Sequence, residues 1–589
     1  MKKLLTILLL SVVALTLTTG EAYACRKVTV RQGMDLVKVF AGKDTKFVIK
    51  EDIDLGGKTV KIGEGCMLVF KGGSLANGKV VGNRTKVKAA NYEIFKRGYT
   101  RYRAYMVEGA SKGAAPSLQK VYHNSIVLEG TWSNKKCGAK WTGLLNGSNE
   151  DVMLAVKNYV VLHADGAKVK FPMFKALGYE STKFPENHYI DFNHSEIDYP
   201  DDLSMWEDKT IAIPKGSKPA SLESGYGLVS TSSNTTIANL SVDGKSAFRR
   251  QNETLRLGVS CIISIGGSKN VTLDNVSLSN VLGPAMTAQV GAKDITIRNC
   301  RFYNIGEHVM YSHQYQGFCH FENCTFDTWD SERISVFRNG LDYLYKHTPP
   351  VDGGKASYDE LYRFDLRFDR CVFNNPKRVN AKGRTLGGFF TGSFPLVVNI
   401  NNCTFTGAQP PFNPGGSSAI SEKSGKFFMM VVRGCDGAPY VYSSKANYNI
   451  VTEFYDCVNI PFRTVYARRY ENCKMFLDLH EENIENVSQS FESEFAQPLV
   501  VKDCELTDGG RDVKINHPVF HRPVSFEGCN FKGASRRNSQ SDVVTIKVEG
   551  LPKATFRKCD VDLPGFRMAG GKQEVTVQQV SSNQSRNRE

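Results

Sequence analysis

The chain has 589 residues, with 75 lysines and arginines against 60 aspartates and glutamates, a formal charge of +15, and 15 cysteines. At 41% apolar residues it is long and apolar enough to bury a sizeable core, which excludes a disordered polyelectrolyte. Its basic residues are dispersed, without the Lys/Arg runs of a nucleic-acid arm, so the positive balance favours an anionic polysaccharide as partner.

The first stretch, MKKLLTILLLSVVALTLTTGEAYAC, joins two lysines, an apolar run and the small-residue pattern Ala22-Tyr23-Ala24. Residues 1–24 therefore read as a secretory signal peptide, too short and wrongly flanked for a membrane anchor, and no later run reaches membrane-spanning length. Without them the balance is 73 basic against 59 acidic residues, +14. The expected destination is the periplasm, the cell surface or the medium, which makes nucleic acid the weaker partner. Cys25 keeps a lipid anchor open as the lesser alternative.

Residues 25–108 read as a β-rich leader. FVIKEDIDLGGKTVKIGEGCMLVFKGGSLANGKVVGNRTKVKA alternates short apolar runs with Gly-Gly and Asn-Gly turns, fit to build first coils or to cap an open sheet edge. Residues 109–226 read as irregular first coils with a helix and an insertion. Within them Asn149–Ala164 has a polar start, early acids and apolar residues at helical spacing, which predicts a helix flanked by strands IVLEGTWS and AKVKFPMF. Leu177–Pro214, aromatic and acidic, reads as a long loop or an insertion against the coil.

From 227 to 570 one motif recurs: apolar-x-apolar-x-(Asn/Asp/Gly)-(Cys/Leu/Val)-x-apolar. Its copies are TTIANLSV, VTLDNVSL, ITIRNCRF, CHFENCTF, LRFDRCVF, VNINNCTF, MVVRGCDG, TEFYDCVN, RRYENCKM, LVVKDCEL, VSFEGCNF and ATFRKCDV. A unit that cannot bury its own apolar face, repeated at about this length, marks a solenoid. Ten cysteines (Cys300, Cys324, Cys371, Cys403, Cys435, Cys457, Cys473, Cys504, Cys529 and Cys559) share one slot that Leu240 and Val276 fill in two earlier copies. The slot is thus small apolar packing rather than a disulfide framework, and the absence of a CxxC pair argues against zinc. Asn, Asp or Gly precedes it in all copies but those of Arg370 and Lys558, which predicts a tight bend in the left-handed conformation. The widest gap, Cys324 to Cys371, locates a large insertion. Residues 571–589 give a last strand and a polar tail.

These coils after a signal peptide resemble the right-handed parallel β-helix of the pectin-lyase-like superfamily, which includes pectate, alginate and chondroitin lyases, polygalacturonases and phage tailspikes. The resemblance covers roughly 227–565. FKGGSLANGKVVGNRTKV is similar to a leader of exported Bacteroides-type β-helix proteins. The fold it implies is an all-β, right-handed parallel β-helix (a solenoid) with an N-terminal β-rich cap and a short capping helix. The motif specifies no activity.

Aligning the strands that follow successive Cys motifs brings Ala285–Gln289, Val309–His313 and Ile334–Arg338 side by side. In that alignment Gln289, His313 and Arg338 share one column, and Thr287, Tyr311 and Val336 another. A uronate-cleaving lyase needs groups that neutralise the sugar carboxylate, a base for the adjacent proton and an acid for the leaving oxygen. Arg338 and Gln289 suit the first task, and His313 or Tyr311 the others. His308, Arg333, Arg384, Lys445, Arg463 and Arg468 are candidates to hold the anionic chain. Glu307 and Glu332 are the carboxylates that would hold a hard cation such as Ca2+. Neither the aspartate cluster of pectate lyases nor the Asn-x-Asp and Gly-Asp-Asp pairs of polygalacturonases is found. The expectation is a monomeric, exported polysaccharide lyase acting on a glycosaminoglycan or pectin-like polymer by β-elimination. The alternatives are a non-catalytic glycan-binding or adhesin-type surface protein and a glycoside hydrolase, which would need two suitably spaced carboxylates.

Overall fold

The computed structural model describes residues 26–105, 117–147, 150–179, 181–200, 220–223, 227–245, 255–258, 261–281, 283–289, 291–305, 308–313, 317–327, 335–339, 364–375, 388–391, 396–407, 411–413, 427–441, 449–462, 467–477, 498–507, 519–520, 524–532, 544–548, 554–557, 566–570 and 576–578. The proposed signal peptide, Cys25, Cys559 and the end of the polar tail lie outside these. The chain forms two compact units, one built from 1–105, 118–169 and 205–211 and one from 106–117, 170–204 and 212–589.

The N-terminal unit is already a parallel structure. Strands Arg26–Val30, Thr45–Ile49, Met67–Phe70, Gly78–Lys88 and Ile126–Trp132 follow one another in a single sheet, each parallel to its neighbour. Their inward residues, with Phe40, Phe47, Leu68, Phe95 and Leu128 fully buried, make one core. Gly130 shows why glycine recurs here. It sits at φ +78, where an added Cβ would stand 2.1 Å from the Gly82 carbonyl oxygen, so only glycine lets these two strands approach. The helix runs over Met153–Val161, shorter than its sequence pattern, and the Asp151 carboxylate accepts from the Met153 amide at 2.7 Å just before its first turn. It is tied to Ile126–Trp132 by the buried Asn158 amide, which accepts from Leu128 N at 2.9 Å and donates to Ile126 O at 2.7 Å. Residues 118–169 pack with the leader because Ile126–Trp132 extends its sheet.

The second unit is an all-β, parallel β-helix. A long sheet runs from Lys175–Leu177 through Tyr189–Asp198, Thr236–Asp243, Lys269–Val281 and Lys293–Arg298 on to Thr576–Gln578. A shorter sheet holds, in order, Thr182–Lys183, Val229–Ser230, Ile263–Gly266, Met286–Ala288, His308–Ser312, Ser335–Asn339, Gly388–Thr391, Pro411–Asn413 and Tyr440–Val441. Every registered pairing is parallel between successive coils. The coils begin before residue 227. Leu177–Pro214, expected as a loop, contains the strand Tyr189–Asp198 paired with Thr236–Asp243. Two extra residues between Asp191 and Ser195 disguise the motif, and the fully buried Ser195 takes the place of Leu240.

The repeat motif has a physical account. Among the described residues the one before each slot has a left-handed backbone: Asn239, Asn275, Asn299, Asn323, Asn402, Asp456, Asn472 and Asp503 lie at φ 52–57, and so does Arg370, a pattern exception, at φ 53. The asparagines also bond between coils. Asn323 Nδ2 donates to Asn299 Oδ1 at 2.8 Å, and Asn299 Nδ2 to Asp274 Oδ1 at 2.8 Å. Beyond the bend, the slot cysteines are buried free thiols that touch the next coil, as where Cys371 N donates to Cys403 Sγ at 3.3 Å and Cys403 N to Cys435 Sγ at 3.3 Å. Two residues on, the aromatic positions stack as Phe302–Phe326–Phe373–Phe405, with centroids 5.3, 4.7 and 4.5 Å apart and rings within 18° of parallel. Each such buried ring contributes roughly 1.5–3 kcal/mol by leaving water and roughly 0.5–1.5 kcal/mol more by stacking. Among the described residues no helix is long and apolar enough to cross a membrane.

Candidate functional site

The shorter sheet separates two kinds of residue by strand alternation. Val229, Ile263, Met286 and Met310 form one register column and are fully buried. Phe337, Phe390 and Phe412 continue it. The neighbouring column is polar on every coil: Lys183, Ser230, Ser264, Thr287, Tyr311, Arg338, Thr391 and Asn413. Eight successive polar positions beside an apolar column mark an outer face rather than a core. At about 4.8 Å per coil it extends roughly 34 Å.

Three candidates, Gln289, Tyr311 and His313, lie on neighbouring strands near the middle of this face. Thr287 pairs with Tyr311, and the ladder continues so that Gln289 N donates to Gly266 O and His313 N to Ala288 O, both at 2.7 Å. Ala288 and Ser312 are fully buried, Gln289 is exposed, and Thr287, Tyr311 and His313 are half-buried. The Tyr311 and His313 rings meet edge to face at 4.9 Å and 76°. The His308 ring also neighbours Tyr311, its centroid 6.0 Å away and the rings 25° apart. His308 is 3% exposed and packs beside Tyr311.

The expected position of Arg338 is corrected. Tyr311 follows Thr287 by 24 residues, but the next coil advances by 27, so Arg338 pairs with Tyr311 and not with His313. The sequence alignment assumed 25. The added residues fall in the connection between coils, where no repeat motif fixes the length. Arg468 lies elsewhere, on the long sheet, where its Nε donates to the Glu453 carboxylate at 2.6 Å. Glu307, Glu332, Arg333, Arg384, Lys445 and Arg463 lie outside the described residues. Among the described residues no group of three or more His, Cys, Asp or Glu could hold a metal ion.

Beneath the face is Cys261, whose Sγ is 3.4 Å from Thr287 Oγ1. Burial pushes this thiol up to about 12, so it is a neutral packing group at neutral pH. The column members Ser264, Thr391 and Asn413 were not recognisable as site residues in the sequence. Their signal is a two-residue alternation in very short strands, legible only once each coil's length is known.

The arrangement brings a phenol and an imidazole together on one coil, an amide and a hydroxyl on the coil before, and an arginine position on the coil after. That set can hydrogen-bond an anionic substrate and move a proton. No family model matches the chain, and no curated protein matches it either. Solved structures similar to it include a Streptococcus pneumoniae surface protein and adhesin PfbA, at 11% identity over 73% of this chain and 96% of that one, TM-score 0.36. They also include the A-module of an Azotobacter vinelandii mannuronan C-5 epimerase, at 11% identity over 73% and 98%, TM-score 0.29. A third is a hyperthermoactive exopolygalacturonase from Thermotoga maritima, at 12% identity over 69% and 83%, TM-score 0.25.

Proposed function

We propose that this chain is an exported lyase that cleaves a uronate-containing polysaccharide by β-elimination on the outer face of the shorter sheet. The observation that supports the reading is the edge-to-face pair of Tyr311, a member of the polar column, and His313 beside it, with Gln289 one coil before and the Arg338 position one coil after. The net positive charge supports an anionic substrate.

In this reading the sugar carboxylate is held by the Gln289 amide and the Arg338 guanidinium, which stabilise the charge that develops when the proton on the adjacent carbon leaves. His313 takes that proton, and the electron pair forms the new carbon–carbon double bond as the glycosidic oxygen departs. Tyr311, in contact with His313, donates the proton that oxygen needs. Buried His308 packs beside the Tyr311 ring. Arg333, Arg384, Lys445 and Arg463 are proposed to hold the rest of the polymer, and Glu307 and Glu332 to bind Ca2+ if the reaction requires it. The protein is taken to act as a monomer.

The test is incubation with a panel of uronate polymers, with and without Ca2+, following the ultraviolet absorbance of unsaturated sugar ends. A rise with one polymer supports the reading. Reducing ends without absorbance would point to hydrolysis instead, and binding without new chain ends to a glycan-binding surface protein.

A further inference from the structure

The outer face of the long sheet carries a separate group of polar side chains. The Asp369 carboxylate, 7% exposed as a residue, accepts from His320 Nε2, Arg367 Nε and Asn401 Nδ2, each at 2.7 Å. His320 and Arg367 are register partners on successive coils, followed in the same column by Asn399. In the next column Asp369 is followed by Asn401 and then Arg433.

The buried carboxylate uses its acceptors to orient a ring and a guanidinium whose other donors stay open. Arg367 is 54% exposed at its side chain, and its two terminal nitrogens, like His320 Nδ1, have no partner among the described residues. Arg433 is exposed and makes no ion pair among the described residues. Its guanidinium lies over the Tyr455 ring at 5.2 Å. Elsewhere on this face the charges cancel locally, as in Arg298 with Asp274 and Arg469 with Glu471. Along this stretch Arg370 is paired with Glu322 and Arg367 with Asp369, and Asp365 lies half-buried on the Arg367 strand, so the open donors are the terminal nitrogens of Arg367 and the guanidinium of Arg433. Two coil steps, about 10 Å, separate the Arg367 strand from the Arg433 strand. That is the reach of a disaccharide unit carrying an acid group at each end.

We propose that this strip is a second binding site for a carboxylate-bearing oligosaccharide, with Arg367 and Arg433 as the clamps and His320, Asn399 and Asn401 as the polar floor between them. A guanidinium fork matches a carboxylate in two parallel hydrogen bonds, and Asp369 presets the fork of Arg367. The ligand class rests on the proposed function. The location does not, because the face belongs to a different sheet from Tyr311 and His313.

The experiment is calorimetric titration of the full chain with a uronate tetrasaccharide, its carboxyl-reduced form and a short oligonucleotide. Wild type is compared with the double variant R367Q/R433Q and with Y311F/H313Q, with circular dichroism confirming that each variant folds. Loss of two charge-assisted contacts weakens tetrasaccharide binding to the strip by about tenfold or more. The expected result is that R367Q/R433Q loses a binding event that Y311F/H313Q retains, and that the reduced sugar does not bind there. Retention of that event in R367Q/R433Q, no tetrasaccharide binding to wild type, or a strip that prefers the oligonucleotide would overturn the proposal. Absence of unsaturated sugar ends while R367Q/R433Q still loses binding would sink the lyase reading and leave the second site standing.

Discussion

The bends of the long sheet and the outer face of the shorter sheet come from the same coils but obey different constraints. At the bends a left-handed residue, a buried thiol and a stacked ring recur at fixed offsets, and each contacts its counterpart on the next coil. On the shorter sheet the strands are as brief as two to five residues, and the advance changes from 24 to 27 between adjacent coils. The scaffold is thus set by short-range rules at the bends. Which side chains meet on the candidate face depends on the length of the connections between them.

The comparison is broken most severely by attacking the stack. F326A removes a ring held between Phe302 and Phe373 and should destabilise the protein by about 3–5 kcal/mol in denaturant unfolding. A loss below about 1 kcal/mol would mean that the coils do not depend on their inner rings. At the bend, N323A places alanine at φ 53 and removes the hydrogen bond to Asn299, a combined cost of about 2 kcal/mol. N323G should recover the backbone part and leave the loss of the hydrogen bond. If glycine and alanine destabilise equally, the left-handed bend is not what selects asparagine.

The thiols sharpen the contrast by pH. Burial raises Cys137 and Cys261 from 9.0 to about 12, so both stay protonated in the folded chain after they would ionise in the unfolded one. Their contribution is fully present below pH 9 and lost as the pH rises from 9 toward 12, at about 1.4 kcal/mol per pH unit for each thiol. Unfolding titrations across that range should show the decline, and C261A should make it shallower. An undiminished slope in C261A would contradict the assignment. The smallest effect belongs to the surface: R298Q breaks an exposed pair with Asp274 and should change stability by less than about 1 kcal/mol. A larger loss would show that the charged outer ladder is structural.

Much of the scaffold was legible in the sequence because its determinants are local. Asn-Cys-x-Phe encodes a bend, a buried slot and an inward ring within four residues. Arg370 shows the rule to be geometric, since the fold imposes the left-handed bend even on a residue that disfavours it. The pattern failed at Tyr189–Asp198, where two inserted residues displace Ser195 from its expected offset. Of the candidate face, the pairing of Thr287 with Tyr311 and the proximity of Gln289 to His313 followed from one regular coil. Arg338 did not, because its register is set by a connection with no repeat of its own. Nor did the burial of His308, which depends on packing from other coils, or the tie between Arg468 and Glu453 across the long sheet.

The chemistry proposed for this face rests on the Tyr311–His313 pair. The decisive measurement is the initial rate of unsaturated-end formation from the most responsive uronate polymer, by wild type, Y311F and H313Q at matched folded concentration. Removing a proton-transfer group costs about a hundredfold or more in rate. Each single variant should therefore fall at least that far, with circular dichroism unchanged. Wild-type rates in both variants, or no absorbance rise from wild type on any polymer, would contradict the claim that this face carries the chemistry.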